Sequence, residues 1–174
     1  MLSLCSLCCT AQTAYSRYLT FCPGFMATRE VEPRFRVECR LDANKEKQYS
    51  LEFRILTYGN FANVDRQGKI AFMYDDGTKD VMPIGSAIES TSGIQVTNDF
   101  HYIYPLYVST LDLPEHITTL YLTRVVMQNR DGSVREIKVK KNYGKKLVQK
   151  IKAAIEEVSG KLDDKIDQQV IFEE

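Results

Sequence analysis

Histidine is scarce in this 174-residue chain, with only His101 and His116, fifteen positions apart. Neither has a partner at the spacing a metal site uses, so no metal ligand set and no cofactor is expected. The nucleophile-elbow pattern, the phosphate-binding glycine loop and the dinucleotide fingerprint are also missing, and no catalytic residue can be nominated. Isolated carboxylates such as Asp99, Asp112 and Glu115 are as common in proteins without catalysis, so an enzyme of unspecified type stays only as an alternative. Net charge is absent as well: 23 Lys and Arg balance 23 Asp and Glu. A neutral chain carries no overall attraction to nucleic acid, which argues against nucleic acid as a partner. Five prolines and nine glycines beside ten tyrosines and eight phenylalanines exclude a disordered or low-complexity chain. A chain of this length buries roughly 70% of the surface its unfolded form exposes, so it folds without a metal or a dense disulfide framework.

Long apolar runs are missing too. Leu2 to Ala11 is the nearest approach, and ten residues are half the roughly 20 a membrane-spanning helix needs. Such a run suits the apolar core of an export signal, with Cys9, Thr10 and Ala11 as small residues at a cleavage point before Gln12. The basic segment that normally precedes such a core is not there. A second reading starts translation at Met26, and a third, weaker one gives Cys5, Cys8 and Cys9 a metal or structural role. Residues 1–25 are thus expected to be an export signal with a poorly ordered N-terminal segment, and 26–174 one domain. Export would place the protein in the periplasm or outside the cell, where Cys22 and Cys39 could pair. A start at Met26 would leave it cytoplasmic, with Cys39 a lone core thiol.

The strongest local signal is the period-two alternation from Val31 to Leu41. It turns Val31, Phe35, Val37, Cys39 and Leu41 toward a core and Glu32, Arg34, Arg36, Glu38 and Arg40 toward water, the mixed charges of a solvated face. Pro33 marks a sheet edge or the strand's beginning. Tyr49 to Leu56 alternates in the same way. Two hairpins follow, one around Asp75-Asp76-Gly77 and one around Arg130-Asp131-Gly132. Between them lies the aromatic stretch Phe100 to Thr110, a strand bent or ended at Pro105. Tyr102, Tyr104 and Tyr107 could fill a core or offer an aromatic contact surface. About seven strands at this spacing indicate a mainly β, antiparallel, sandwich-like domain.

After Asn142, a candidate N-cap, the period changes. Leu147, Val148, Ile151, Ala154, Ile155 and Val158 share one helical face, so a C-terminal amphipathic helix is expected at about 143–159, ended by Gly160 and followed by an acidic tail. Charge is segregated here. Arg135 to Lys152 holds eight basic residues against Glu136, whereas Ala153 to Glu174 holds seven acids against two lysines. Lys138, Lys140, Lys141, Lys145, Lys146 and Lys150 are therefore candidates for an anion-binding surface. The competing expectation is a solvated lysine face neutralised by the acidic tail.

The succession Phe72-Met73-Tyr74-Asp75-Asp76-Gly77-Thr78, Tyr102-Ile103-Tyr104-Pro105-Leu106-Tyr107, Ile117 to Val126, Asp131-Gly132, Ile137-Lys138-Val139-Lys140 and Lys145-Lys146-Leu147 resembles small exported β-rich proteins of Bacteroidetes bacteria. It covers about residues 50–158. The resemblance implies compartment and fold, with no activity attached. Together these features lead to a noncatalytic binding or structural module of the cell envelope, whose partner is a protein or a glycan. The alternative is a binder of anionic surfaces through 135–152.

Overall fold

The computed structural model describes residues 12–21, 33–58, 64–92, 94–95 and 102–173. Ten strands lead into one helix: β1 Thr13–Tyr15, β2 Leu19–Thr20, β3 Arg34–Leu41, β4 Lys47–Tyr58, β5 Lys69–Tyr74, β6 Lys79–Glu89, β7 Ile94–Gln95, β8 Tyr102–Thr110, β9 Leu122–Gln128, β10 Val134–Lys138 and α1 Gly144–Glu173. All strand pairs are antiparallel, in the order β1-β3-β4-β8-β6-β5-β9-β10, with β2 added to β3 and β7 to β8. The expected mainly β, antiparallel domain with a C-terminal helix is present. No helix among the described residues is long and apolar enough to cross a membrane.

The sheet is continuous but folded over on itself, because β6 changes partner along its length. Lys79 to Pro83 pair with β5, and Ile84 to Glu89 pair with β8 after an irregularity that skips Gly85. A Cβ on Gly85 would lie 3.0 Å from the Thr110 carbonyl oxygen, so the close crossing at this bend uses a residue without a side chain. The degree of folding can be read from the core. Three strand spacings of about 4.8 Å separate β4 from β5 along the sheet, yet the rings of Phe53 on β4 and Phe72 on β5 are 6.0 Å apart. The inner faces of the two halves therefore meet. Phe21 and Phe35 extend this aromatic row, with Phe21 4.7 Å from Phe35 and 6.1 Å from Phe53. Beyond β10, the Lys140 N–H donates to the Phe21 carbonyl at 3.0 Å and brings the far edge of the sheet back toward β2. The helix covers the remaining opening by packing on β3, β1 and β9, with Leu147, Ile151, Ala154, Val158 and Leu162 buried in the shared core.

Several expectations need correction. Residues 12–21, assigned from sequence to a poorly ordered leader, form two strands of the sheet, and Phe21 is fully buried. The leader residues 1–11 lie outside the described residues. Gly160 does not end the helix, which runs unbroken for 30 residues. A helical glycine costs about 1 kcal/mol relative to alanine. Burial of Leu162 and the bonds from Lys161 Nζ to the Tyr15 carbonyl (3.2 Å) and from Lys165 Nζ to the Thr13 carbonyl (2.7 Å) outweigh that cost. Asn142 is not the N-cap: it takes a left-handed φ of 65°. The first helical bond runs from the Leu147 N–H to the Tyr143 carbonyl, making Tyr143 the cap residue. Finally, β8 passes through Pro105 without ending. Its carbonyl accepts from Ser90 N–H at 2.8 Å, so the side that lacks an N–H faces the end of β6, where the regular pairing with β8 stops at Glu89 and Leu106.

Candidate anion-binding cleft

The site forms where β10 hands the chain to α1. Val139 N–H is bonded to the Thr123 carbonyl at 2.8 Å, and Tyr143 N–H to the Lys140 carbonyl at 2.9 Å, so Lys140, Lys141 and Asn142 project as a tight turn. Gly144 then starts the helix against β9. A Cβ there would lie 2.9 Å from the Tyr121 Cβ and 3.1 Å from the Leu122 carbonyl oxygen, a separation only glycine permits. The result is two adjoining clefts on either side of the turn. One, of about 520 Å³, is lined by Asp75, Tyr121, Thr123, Lys140, Lys141 and Lys145 among others. Its neighbour, of about 470 Å³, is lined by Lys140, Lys141, Asn142, Tyr143, Lys146 and Lys150.

Five of the six lysines singled out from sequence thus come together. Lys138 does not line either cleft and pairs with Glu136 at 3.8 Å, which also pairs with Arg124 at 3.0 Å. Lys141, Lys145, Lys146 and Lys150 are exposed and make no ion pair among the described residues. They surround the N-terminus of a 30-residue helix whose first turn has no acidic residue. That end carries roughly half a positive charge from the aligned peptide dipoles, so helix and lysines attract anions additively. Tyr143 is buried, its hydroxyl has no hydrogen-bond partner among the described residues, and Lys150 Nζ lies 5.7 Å from the centre of its ring.

The acidic end of the helix does not pair with the cleft lysines Lys141, Lys145, Lys146 and Lys150 among the described residues. A continuous helix holds Glu156 about 15 Å along its axis from Lys146 and about 9 Å from Lys150, at 1.5 Å per residue. The first is nearly twice the screening length of about 8 Å at physiological salt and the second just beyond it. Two of the acids have other partners: Glu157 pairs with Lys161 at 2.6 Å and Asp163 with Lys47 at 2.7 Å.

The remaining candidates are dispersed. Tyr104 and Tyr107 are an odd number of positions apart on one strand and fall on opposite faces of β8, Tyr107 opposite Arg54 on the outer face. The side chain of Tyr102 lies outside the described residues, as does Cys22, while Cys39 is buried, paired beside Ala14 of β1. His101 lies outside them too.

His116 belongs to a polar network that sequence spacing did not connect. The Tyr74 hydroxyl donates to Asp80 Oδ2 at 2.6 Å, and His116 N–H donates to the same oxygen at 2.9 Å. His116 Nδ1 lies 2.7 Å from Asp80 Oδ1. Burial raises the Asp80 pKa, but these bonds outweigh it and the carboxyl ends below its ordinary value. The bond to Asp80 raises the pKa of His116, and burial together with Asp80 pushes the Tyr74 phenol up. Asp80, Glu115 and His116 each offer an atom that could ligate a metal, all within 4.8 Å of one another. Both Asp80 oxygens are already engaged, so the arrangement is that of a clasp holding the 111–121 segment to the β5–β6 hairpin.

No family model matches the chain, and no curated protein or solved structure matches it either.

Proposed function

We propose that the protein is a noncatalytic binding module whose ligand is a polyanion held in the paired clefts at the start of α1. One observation carries this: five lysines from a single turn and the first helical turns line two adjoining clefts at the positive end of a long helix, and four of them have no carboxylate partner among the described residues. Two clefts side by side suit an extended chain with several anionic groups better than a single small anion. Lysine acts as a flexible point charge and lacks the bidentate fork of arginine, so recognition rests on charge density and is sensitive to salt. Placement at the cell envelope is part of the proposal, supported by the apolar run Leu2 to Ala11 and the resemblance over about residues 50–158; amino-terminal sequencing of the native protein tests it.

Retention of the full chain on immobilised heparin at rising salt tests the ligand class. The expected result is retention at low salt that is lost in Lys145→Gln/Lys146→Gln/Lys150→Gln and kept in Lys138→Gln. Absence of retention of the parent chain at low salt rejects the proposal.

A further inference from the structure

The outer face of β1, β3, β4, β8 and β6 carries a second cavity, remote in sequence from the lysine clefts, and its residues line up in two rows across the sheet. Tyr15 pairs with Glu38, and Glu38 with Ser50. One step along the strands, Arg36 pairs with Glu52, Glu52 with Ser109, and Ser109 with Ser86. The bend of β6 at Gly85 and the adjoining Leu111 close one side, leaving a groove of about 240 Å³.

The groove is rich in fixed acceptors. Glu52 Oε1 accepts from Arg36 Nε at 2.7 Å and from the Tyr18 hydroxyl at 3.2 Å. The Arg36 guanidinium lies 3.8 Å from the centre of the Tyr15 ring, which fixes the arginine and through it Glu52. Glu38 Oε2 accepts a long bond of 3.5 Å from the Ser50 hydroxyl, and Glu38 has no ion pair among the described residues. One oxygen of each carboxylate thus remains without a donor among the described residues. The charge is close to balanced: Arg36 answers Glu52, Arg40 stands beside Glu38, and burial raises the pKa of Glu38. A neutral ligand with paired hydroxyl donors and an apolar edge fits such a site. The free carboxylate oxygens accept from the hydroxyls, the Ser86 and Ser109 hydroxyls donate in return, and Tyr15 and Ile88 flank the C–H surface.

We propose that this groove binds one ring of a neutral carbohydrate, with Glu38 and Glu52 accepting hydrogen bonds from neighbouring sugar hydroxyls. The inference is independent of the lysine clefts. Titration of the full chain with glucose, galactose, mannose and N-acetylglucosamine, each followed by backbone amide NMR, tests it. At least one sugar should shift the amides of Glu38, Ser50, Ser86 and Ser109 with a dissociation constant on the order of 1 mM. Glu38→Gln and Glu52→Gln should each weaken it at least about tenfold, the effect of one lost charge-assisted hydrogen bond. Ser86→Tyr, a change at a half-exposed position that fills the groove, should abolish it. Lys145→Gln/Lys146→Gln/Lys150→Gln should leave it unchanged. Shifts by no sugar in the parent chain, or shifts at these amides by spermidine alone, would overturn the proposal.

Discussion

Single residues decide more here than their positions in the sequence suggest. Tyr74, Asp80 and His116 are far enough apart that no motif links them, yet they share one buried carboxylate. Tyr74→Phe should cost about 1.5–3 kcal/mol in chemical unfolding, since it removes a donor from a charged acceptor. The clasp also has a pH window. His116, with its folded pKa raised above 6.5, contributes stability that is complete below that unfolded value and lost as pH rises through the folded one. Asp80, lowered below 3.8, contributes stability present above that value and lost as pH falls through the folded pKa. NMR titration of His116 should give a pKa above 6.5 that returns toward 6.5 in Asp80→Asn; an unchanged value would separate the two groups. Two glycines of the same helix should respond oppositely. Gly144→Ala drives a Cβ into Tyr121 and should destabilise by about 1–3 kcal/mol. Gly160 has open space around it, so Gly160→Ala should stabilise by about 0.5–1 kcal/mol. Thermal unfolding of the pair reads both signs.

At the scale of elements, the sequence pattern was most legible where the rule is local. Both hairpin turns were foreseen from Asp-Gly, and both use the same chemistry: Asp76 accepts from the Thr78 N–H at 2.8 Å, and Asp131 from the Ser133 N–H at 3.0 Å. Phe35, Val37 and Cys39 face the core as their alternation requires. The opposite face of the same strand was read as a solvated mixture of charges. Its arginines and Glu38 are instead half-buried, organised by Glu52, Tyr15 and Tyr18 from other strands, and the Tyr18 phenol is pushed up to about 12 by burial and by Glu52. Alternation specifies a face, but it carries no information about which strand lies alongside. The helix contains a conflict of its own. Lys145 and Lys146 sit where the dipole disfavours cations, each at a cost of about 0.3–1 kcal/mol. Replacing both with glutamate should raise the melting temperature while abolishing heparin retention; a loss of stability would show that the lysines are structural.

For the whole molecule, the fold depends on joining the two ends of the chain. β1 and β2 cover β3, Phe21 completes the aromatic row, and α1 packs on β1, β3 and β9 at once. A chain beginning at Met26 lacks β1, β2 and Phe21. Loss of the buried phenylalanine alone is worth about 3–5 kcal/mol, a large share of the 5–15 kcal/mol that holds a domain together. The truncated protein is expected to unfold at markedly lower denaturant than the full chain, and an unchanged midpoint would show that the first 25 residues add nothing.

Seven of the strands (β3, β4, β5, β6, β8, β9 and β10), the two Asp-Gly turns, the apolar face of α1 and the lysine-rich segment follow from sequence alone, because each depends on residues a few positions apart and on fixed backbone periods. Continuity through Gly160 and Pro105, the recruitment of residues 12–21, the Asp80 clasp and the groove on the outer face were decided only by tertiary structure. Each joins residues distant along the chain, and in each a long-range contact overrides the local preference. The lysines show both levels at work: their number and sign were written in the sequence, but only the fold brings Lys141, Lys145, Lys146 and Lys150 around the start of a helix whose acidic end lies farther along its axis.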